Sequence, residues 1–437
     1  MNLLAVTGKP VLHSKSPLMF NALFKQKGEE NSTIYTRIAA ADAKEAIALF
    51  KELHLKGMNV TAPFKSDIMQ YLDAVDEAAS QIGGVNTVVD ENGKLVGYNT
   101  DYIGVTRSLT PGSLDLKGRP CIVLGVGGAG RAAIFSLLHQ QAQITVVNRT
   151  YEKARETAKH FGCSPAKIED LQSLLSHSQI LISTLPPHVD IIPAHWLRKE
   201  LVVFDANYKT SPLGEKARQT GCRIIKGEEW LLRQAVPAYR HFFGSSLSEN
   251  DIETMRTALV TPPLPKPRNI SLIGFMGTGK TEIGRILASR LKMDFIDIDE
   301  KIEQFEKRTI PGIFSTYGEA YFRAVEKRLL KQELENNQNR LFACGGGIVL
   351  DKENRDLLKN ASLVIWLYAS IETVLKRIPT GTRPLLSGNN PAQKAHELLD
   401  SRIPVYAAAA DIVVGSERNQ EETAERIHEE ISKTFNH

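Results

Sequence analysis

Cysteine is scarce in this sequence: four residues among 437, Cys121, Cys163, Cys222 and Cys344, far apart and without a CxxC pair or a histidine spaced for zinc. A disulfide framework or structural zinc site is therefore not expected, and four reduced, mostly buried thiols in a cytoplasmic protein are. No segment approaches about 18 uninterrupted apolar residues, which excludes the usual signature of a membrane span. The first residues, MNLLAVTGKPVLHSKSP, meet glycine and lysine early and have neither the charged start nor the long apolar stretch of a signal peptide. Charge of either sign is nearly balanced, with 54 Lys and Arg against 50 Asp and Glu. A net +4 gives no reason to expect nucleic acid or membrane as partners, and leaves local basic pockets for small anionic substrates. There is no internal repeat or low-complexity segment, and nothing in the composition fixes an oligomeric state.

What is present is enough chain for two or three domains. The clearest boundary is residues 260–268, where four prolines in six positions forbid helix interior and central strand and read as a semi-rigid linker. Before it, short β-branched runs at residues 121–124, 144–147, 180–183 and 202–204 alternate with helical stretches, the grammar of a parallel sheet covered by helices. After it the pattern restarts, with strands expected at 270–273, 341–343 and 363–367 and a helix over 279–291. A weaker boundary near 110–117 divides the first part. The fold class is α/β: a substrate-binding α/β domain over 1–110, a second α/β domain over 111–247 that the glycine pattern described next makes a Rossmann dinucleotide domain, a helix over 248–259 packing back on them, the linker at 260–268, and an α/β domain with a parallel sheet over 269–437, to which the motifs and resemblance below give a P-loop of the nucleoside-monophosphate-kinase type.

The apolar strand ending at Leu124 runs into Gly125, Val126, Gly127, Gly128, Ala129 and Gly130, a GxGxxG pattern opening a helix. Such glycines allow a tight turn and let backbone approach a pyrophosphate at the helix N-terminus. The next strand ends in Asn148, Arg149 and Thr150 where an NAD-binding protein usually carries an acid. An arginine there suits a 2'-phosphate, so NADP is favoured over NAD. Polar residues collect in the first domain at Ser14 and Ser16, at Asn59, Thr61 and Lys65, at Asn86 and Thr87, and at Asn99, Thr100 and Asp101. Singly, each reads as a cap or turn former. A lysine and an aspartate brought together in a cleft would be a proton-transfer pair, which spacing alone cannot establish.

In the second part, Gly274, Gly277, Thr278, Gly279, Lys280 and Thr281 fall in a GxxxxGK[ST] pattern between a strand and a helix, a phosphate cradle whose Thr281 hydroxyl can ligate magnesium. Asp297 and Asp299 alternate at an expected strand end, which would put both carboxylates on one face, one for magnesium and one for a substrate hydroxyl. Arg323 and Glu326, the triplet Gly345, Gly346 and Gly347, Arg383, and Arg402 with Tyr406 complete the set. Each arginine alone would be a surface charge; together, planar guanidinium groups can bracket a small anionic acid.

The motifs of residues 3–259 together resemble shikimate dehydrogenase, and those of 269–437 resemble shikimate kinase. The first resemblance implies that Ser14, Ser16 and Tyr208 hold the substrate carboxylate, that Thr61, Asn86 and Gln234 bind ring hydroxyls, and that Lys65 and Asp101 carry the proton chemistry while NADPH reduces 3-dehydroshikimate. The second implies that Asp297 assists Mg2+, Asp299 orients the acceptor hydroxyl, Arg323 and Arg402 clamp the carboxylate, Arg383 reaches the phosphates of ATP from a closing segment over 378–390, and Arg377 lies near adenine. Phe20, the 183–187 loop and Trp230 depart from the dehydrogenase pattern, and Trp230 is placed to crowd the nicotinamide. Two consecutive steps on one chain are the reading; a catabolic quinate or shikimate dehydrogenase is disfavoured by Arg149, and a silent shikimate sensor by the presence of Lys65, Asp101, Lys280 and Asp299. The linker further implies that halves separated there fold alone.

Overall fold

The computed structural model describes residues 1–109, 115–208, 211–261, 266–336, 338–378 and 390–435. The chain packs into two compact units, one made of Met1–Phe64 with Thr261–His437 and the other of Lys65–Val260. This division by contact cuts across the sequence domains.

In the first unit the sheet begins with Asp294–Asp297 and continues through Arg340–Ala343, Asn269–Ile273, Leu363–Tyr368 and Ile412–Gly415, each parallel to its neighbour. These strands read as apolar runs because helices cover both faces; Leu363–Tyr368 is buried at every position. Its Trp366 is fully buried and stacks on Tyr406 with centroids 5.4 Å apart. The order puts the phosphate-cradle strand Asn269–Ile273 in the middle, so the loop at its C-terminal end opens onto the strand-end crevice where α/β sheets bind ligands.

The sheet does not end at Ile412–Gly415. That strand pairs in parallel with Thr33–Ala39, Val413 opposite Ile38 and Val414 opposite Ala39. Thr33–Ala39 pairs with Asn2–Gly8, which pairs with Gly57–Val60. The expectation of two self-sufficient halves thus meets an edge-to-edge pairing that the proline-rich linker gave no hint of. Arg426, from the helix Gln420–Phe435, fastens this seam: its guanidinium donates to the Ala39 carbonyl at 3.2 Å, to the Gly415 carbonyl at 3.1 Å, and to Glu45 at 2.6 Å.

The second unit holds a six-stranded parallel sheet in the order Arg223–Lys226, Val202–Asp205, Ile180–Ser183, Pro120–Leu124, Gln143–Val147, Ser164–Ala166. The order reverses beside Pro120–Leu124, which places the glycine loop after Leu124 at the switch point. The same unit contains the antiparallel pair Thr87–Glu91 and Lys94–Tyr98. The helix Glu249–Leu259 starts at a capping box, Ser248 with Asp251, and packs on Gly227–Phe243, where Arg256 pairs with Glu229. No helix among the described residues is long and apolar enough to cross a membrane.

The Arg426–Glu45 pair has side chains only 4% and 11% exposed. Removing one partner leaves the other charge buried. Arg426→Met should therefore lower the unfolding free energy by about 3 to 5 kcal/mol in a urea titration; a loss below about 1 kcal/mol would show that the seam is held by strand pairing alone.

Candidate functional site

Each unit carries its own group of site residues. In the second unit, Lys65 Nζ lies 2.5 Å from Asp101 Oδ2, with the side chains 16% and 9% exposed. Asp101 opens the helix Asp101–Leu109 and its N–H donates to Asn99 Oδ1 at 3.0 Å, while Asn99 donates to the Gly84 carbonyl at 2.7 Å. Next to it a closed amide and hydroxyl network forms: Asn86 donates to Thr100 Oγ1 at 3.0 Å and Gln234 Oε1 at 3.1 Å, and the Thr100 N–H donates to Asn86 Oδ1 at 2.7 Å. Asn86, Thr87, Asn99 and Thr100, which read singly as turn formers, are therefore one buried polar surface beside the lysine–carboxylate pair.

The dinucleotide loop is built against the same pair. A Cβ at Gly128 would lie 3.2 Å from Lys65 Cδ, and one at Gly130 would stand 2.0 Å from the Gly125 carbonyl oxygen. Gly125 has a φ of 101°, open only to glycine at low cost. Gly127 is the N-cap of the helix Gly128–His139 and supplies no side-chain acceptor to its first N–H groups. A helix end built this way suits a pyrophosphate, so the residues present fit a dinucleotide. Ala129 follows in the first turn, and Asn148, Arg149 and Thr150 come after the strand Gln143–Val147 with Arg149 and Thr150 exposed. Tyr208 is exposed, just after Val202–Asp205, within electrostatic reach of Asp101.

Trp230 is packed inward. Its indole N–H donates to the Asp101 carbonyl at 2.9 Å, its ring meets Phe204 edge-on, and it fits only because Gly104 has no side chain. It is a buried buttress of the Asp101 helix. Arg131, which the sequence reading passed over, donates to Ser66 Oγ at 2.7 Å and the Gly83 carbonyl at 2.8 Å, tying the dinucleotide helix to the segment that begins at Lys65.

In the first unit, Ser14 and Ser16 are buried, their hydroxyl oxygens 3.4 Å apart, and Ser16 begins the helix Ser16–Gln26. Thr61 follows Gly57–Val60 and donates its N–H to the Thr7 carbonyl at 2.8 Å. Tyr35 donates to Asn59 at 2.6 Å and stacks on Phe20, which explains an aromatic at that position.

The phosphate cradle lines a cavity of about 560 Å³ with Gly277, Gly279, Lys280, Thr281, Asp297, Asp299 and Arg377. Lys280 donates to the Gly274 and Phe275 carbonyls at 3.0 and 2.8 Å, so its ammonium is held over the loop. Thr278 turns its hydroxyl inward to the Phe275 carbonyl at 2.8 Å, away from the cavity. Arg377 is exposed and donates to the Ser416 carbonyl at 2.8 Å. Thr281 Oγ1 donates to Asp297 Oδ2 at 2.7 Å, which places two hard oxygen donors side by side and fits Mg2+.

Asp299 is not on a strand. The strand stops at Asp297, whose carboxylate caps the helix Ile298–Glu306 by accepting from the Asp299 and Glu300 N–H groups. The two carboxylates reach one cavity through a cap and a first helical turn, where strand alternation was expected. Asp299 also lines a second cavity of about 100 Å³ with Arg323, Glu326, Gly345, Gly346, Gly347 and Arg402. Side chains need these glycines: a Cβ at Gly347 would stand 2.3 Å from the Arg323 guanidinium, and one at Gly345 would stand 2.7 Å from Glu326 and 2.9 Å from Asp299. Arg402 is buried and donates to the Gly346 carbonyl at 3.3 Å, beside Tyr406 at 2.5 Å. Arg383 and the closing segment expected around it lie outside the described residues.

Glu326 is the acid whose role the sequence reading left open. It is fully buried, accepts from Arg323 Nη1 at 2.6 Å, and its other oxygen has no partner among the described residues. Burial, with Asp299 adding to it, outweighs Arg323 and pushes the carboxyl from 4.5 up to about 7.

The second unit is thus a dinucleotide-binding α/β fold with a lysine–carboxylate pair at its glycine loop, and the first unit holds a P-loop with an arginine-lined acid pocket. A reductase and a small-molecule kinase are the classes these define. The family model "Shikimate dehydrogenase substrate binding domain" matches residues 6–88, "Shikimate / quinate 5-dehydrogenase" matches 108–203, and "Shikimate kinase" matches 276–432. The shikimate dehydrogenase (NADP(+)) of Aquifex aeolicus is 36% identical over 263 residues, covering 58% of this chain and 97% of the relative. That of Pyrococcus furiosus is 38% identical over 258 residues, covering 57% and 92%. The structure of shikimate 5-dehydrogenase from Thermus thermophilus in complex with NADP(H) and shikimate has a TM-score of 0.53 at 30% identity, covering 59% of this chain and 100% of that one. The chain belongs to the shikimate dehydrogenase family and carries a shikimate kinase domain on the same polypeptide.

A carboxyl whose pKa is raised in the folded state keeps its proton there after the unfolded chain has lost it. Stability conferred by Glu326 is therefore fully present below about pH 4.5 and falls as the pH rises towards about 7. Glu326→Gln should flatten the fall in urea-unfolding free energy between about pH 5 and about pH 7.5; an unchanged slope would assign the effect to other groups.

Proposed function

We infer that this chain is a bifunctional enzyme of aromatic biosynthesis, reducing 3-dehydroshikimate to shikimate and then phosphorylating shikimate at the hydroxyl just made. The observation that carries the reading is that one chain holds both a complete lysine–aspartate pair against a dinucleotide loop and an acid pocket that meets a P-loop cavity at Asp299. The sequence modules 1–110, 111–247 and 269–437 belong to this reading, with Glu249–Leu259 as the closing helix of the dehydrogenase.

In the reduction, Ser14, Ser16 and Tyr208 hold the substrate carboxylate, and Thr61, Asn86 and Gln234 orient its ring hydroxyls. NADPH supplies the hydride when bound. Lys65 protonates the oxygen on which negative charge develops, and Asp101 keeps the ammonium charged and aimed. Arg149 pairs with the 2'-phosphate, with Asn148 and Thr150 at its sides. In the phosphorylation, Lys280 and the N–H groups of Gly277 to Thr281 neutralise the transferring phosphoryl group, and Arg377 flanks the nucleotide, with Arg383 assigned to the phosphates. Thr281 and Asp297 would hold Mg2+, which supplies charge neutralisation there. Asp299 orients and deprotonates the acceptor hydroxyl, while Arg323 and Arg402 grip the carboxylate over the backbone of Gly345, Gly346 and Gly347. Glu326 keeps the Arg323 guanidinium in place. The reading places the chain in the cytoplasm on small anionic substrates, with no part for nucleic acid or membrane.

Lys65→Ala should reduce NADPH oxidation with 3-dehydroshikimate by about 10²- to 10⁴-fold and leave ATP consumption with shikimate unchanged. Near-normal turnover would remove Lys65 from the proton transfer. The opposite pattern is expected of Asp299→Asn, which should abolish the kinase alone; a full kinase rate there would mean the acceptor site lies elsewhere. Arg149→Ala should raise KM for NADPH much more than for NADH, and equal changes would make Arg149 structural.

A further inference from the structure

The loop that carries Ser14 is fixed by side chains from both sides. Glu430, on the helix Gln420–Phe435, accepts from the backbone N–H groups of Val11 and Leu12, each at 2.8 Å through the same oxygen. Glu430 is 3% exposed and both loop residues are fully buried. From the other side, Arg37 donates to the Ser14 carbonyl from Nε at 3.1 Å and Nη2 at 2.7 Å, and its Nη1 donates to the Asp411 carbonyl at 3.2 Å. Burial holds the Glu430 carboxyl above its usual range and brings the Arg37 guanidinium down to about 10, so neither charge is at ease there without these partners.

Two of the groups come from the kinase segment. Glu430 and Asp411 lie within residues 276–432, and Ser14 lies within residues 6–88. The 263 residues matched to the Aquifex aeolicus relative make up 97% of it, which leaves that relative no length for a kinase segment like residues 276–432. Between Gly8 and Ser16 the backbone has no regular structure to hold it, and charge-assisted bonds at both ends of Val11–Ser14 take that role.

We propose that Glu430, with Asp411 and Arg37, is a positioning device through which the kinase segment sets the carboxylate-binding loop of the dehydrogenase. The proposal rests on the reading of Ser14 and Ser16 as carboxylate ligands. A loop already held in its binding geometry is not ordered at the expense of substrate affinity. Loosening it weakens ground-state and transition-state binding alike, which raises KM and spares kcat.

The test uses the full chain and steady-state kinetics of both activities. Glu430→Ala should raise KM for 3-dehydroshikimate about tenfold, with kcat, KM for NADPH and both kinase constants changed less than about threefold. Glu430→Gln keeps an acceptor oxygen without the charge and should fall between Ala and wild type; it also decides the matter where the alanine chain does not fold. Combined with Ser14→Ala, either substitution should add less than its single effect, because both act on one contact. An unchanged KM in the Glu430 variants, or losses that fall equally on both activities and add fully to Ser14→Ala, would overturn the proposal. If Ser14→Ala itself left KM unchanged, the carboxylate reading would fall and the proposal with it.

Discussion

Much of the first unit depends on the parallel hydrogen bonds between Ile412–Gly415 and Thr33–Ala39. An edge strand leaves a row of backbone donors and acceptors unpaired, and in water such an edge is an invitation to any other strand. Here two edges satisfy each other. The cost of bringing them together is partly one of charge, because Arg37, Glu45, Asp411, Arg426 and Glu430 are drawn in around the seam, and burial weakens every ion that is not well bonded. The structure answers with backbone groups: Arg426 spans the ends of both strands, Asp411 accepts from the Val364 N–H at 2.8 Å, and Glu430 takes two loop N–H groups. The seam is thus specified by geometry as well as by apolar contact.

The proposed catalytic groups use burial differently. The Lys65–Asp101 pair is compact and partly shielded, and its surroundings are neutral amides and hydroxyls that can turn to meet substrate. In the kinase pocket the charges are crowded, with Glu326 and Asp299 both pressing on the space above Gly345 and Arg323 pressing on Gly347. There the glycine triplet is a steric requirement imposed by charged neighbours, and Glu326 is pushed towards neutrality because desolvation outweighs one arginine.

Local features of this kind were legible in the sequence. The glycine loop, the P-loop and the helix after Ser248 each occupy a few consecutive residues whose chemistry is determined by backbone geometry, and the structure has them at the expected places. What failed to show was non-local or depended on a boundary. Asp297 reads as the last strand residue, but its side chain can also cap a helix, and the cap moved Asp299 off the strand. Trp230 could not be assigned to the core without knowing that Gly104 leaves room for its indole. Arg37 is the one charge in the strand Thr33–Ala39, and of its two carbonyl partners, Ser14 and Asp411, the second lies near the other end of the chain. No periodicity in either stretch announces that Ile38 and Val413 are neighbours.

The side chains proposed to hold a carboxylate differ in kind between the two sites. Ser14 and Ser16, just before and at the start of the helix Ser16–Gln26, offer neutral donors, which bind an anion less strongly than a guanidinium pair. Arg323 and Arg402 are guanidinium groups able to give charge-assisted bonds, and Arg323 is already paired with the buried Glu326. Burial and the nearby Asp299 raise the Glu326 carboxyl, so Arg323 is held by an acid whose own charge is disfavoured in this pocket.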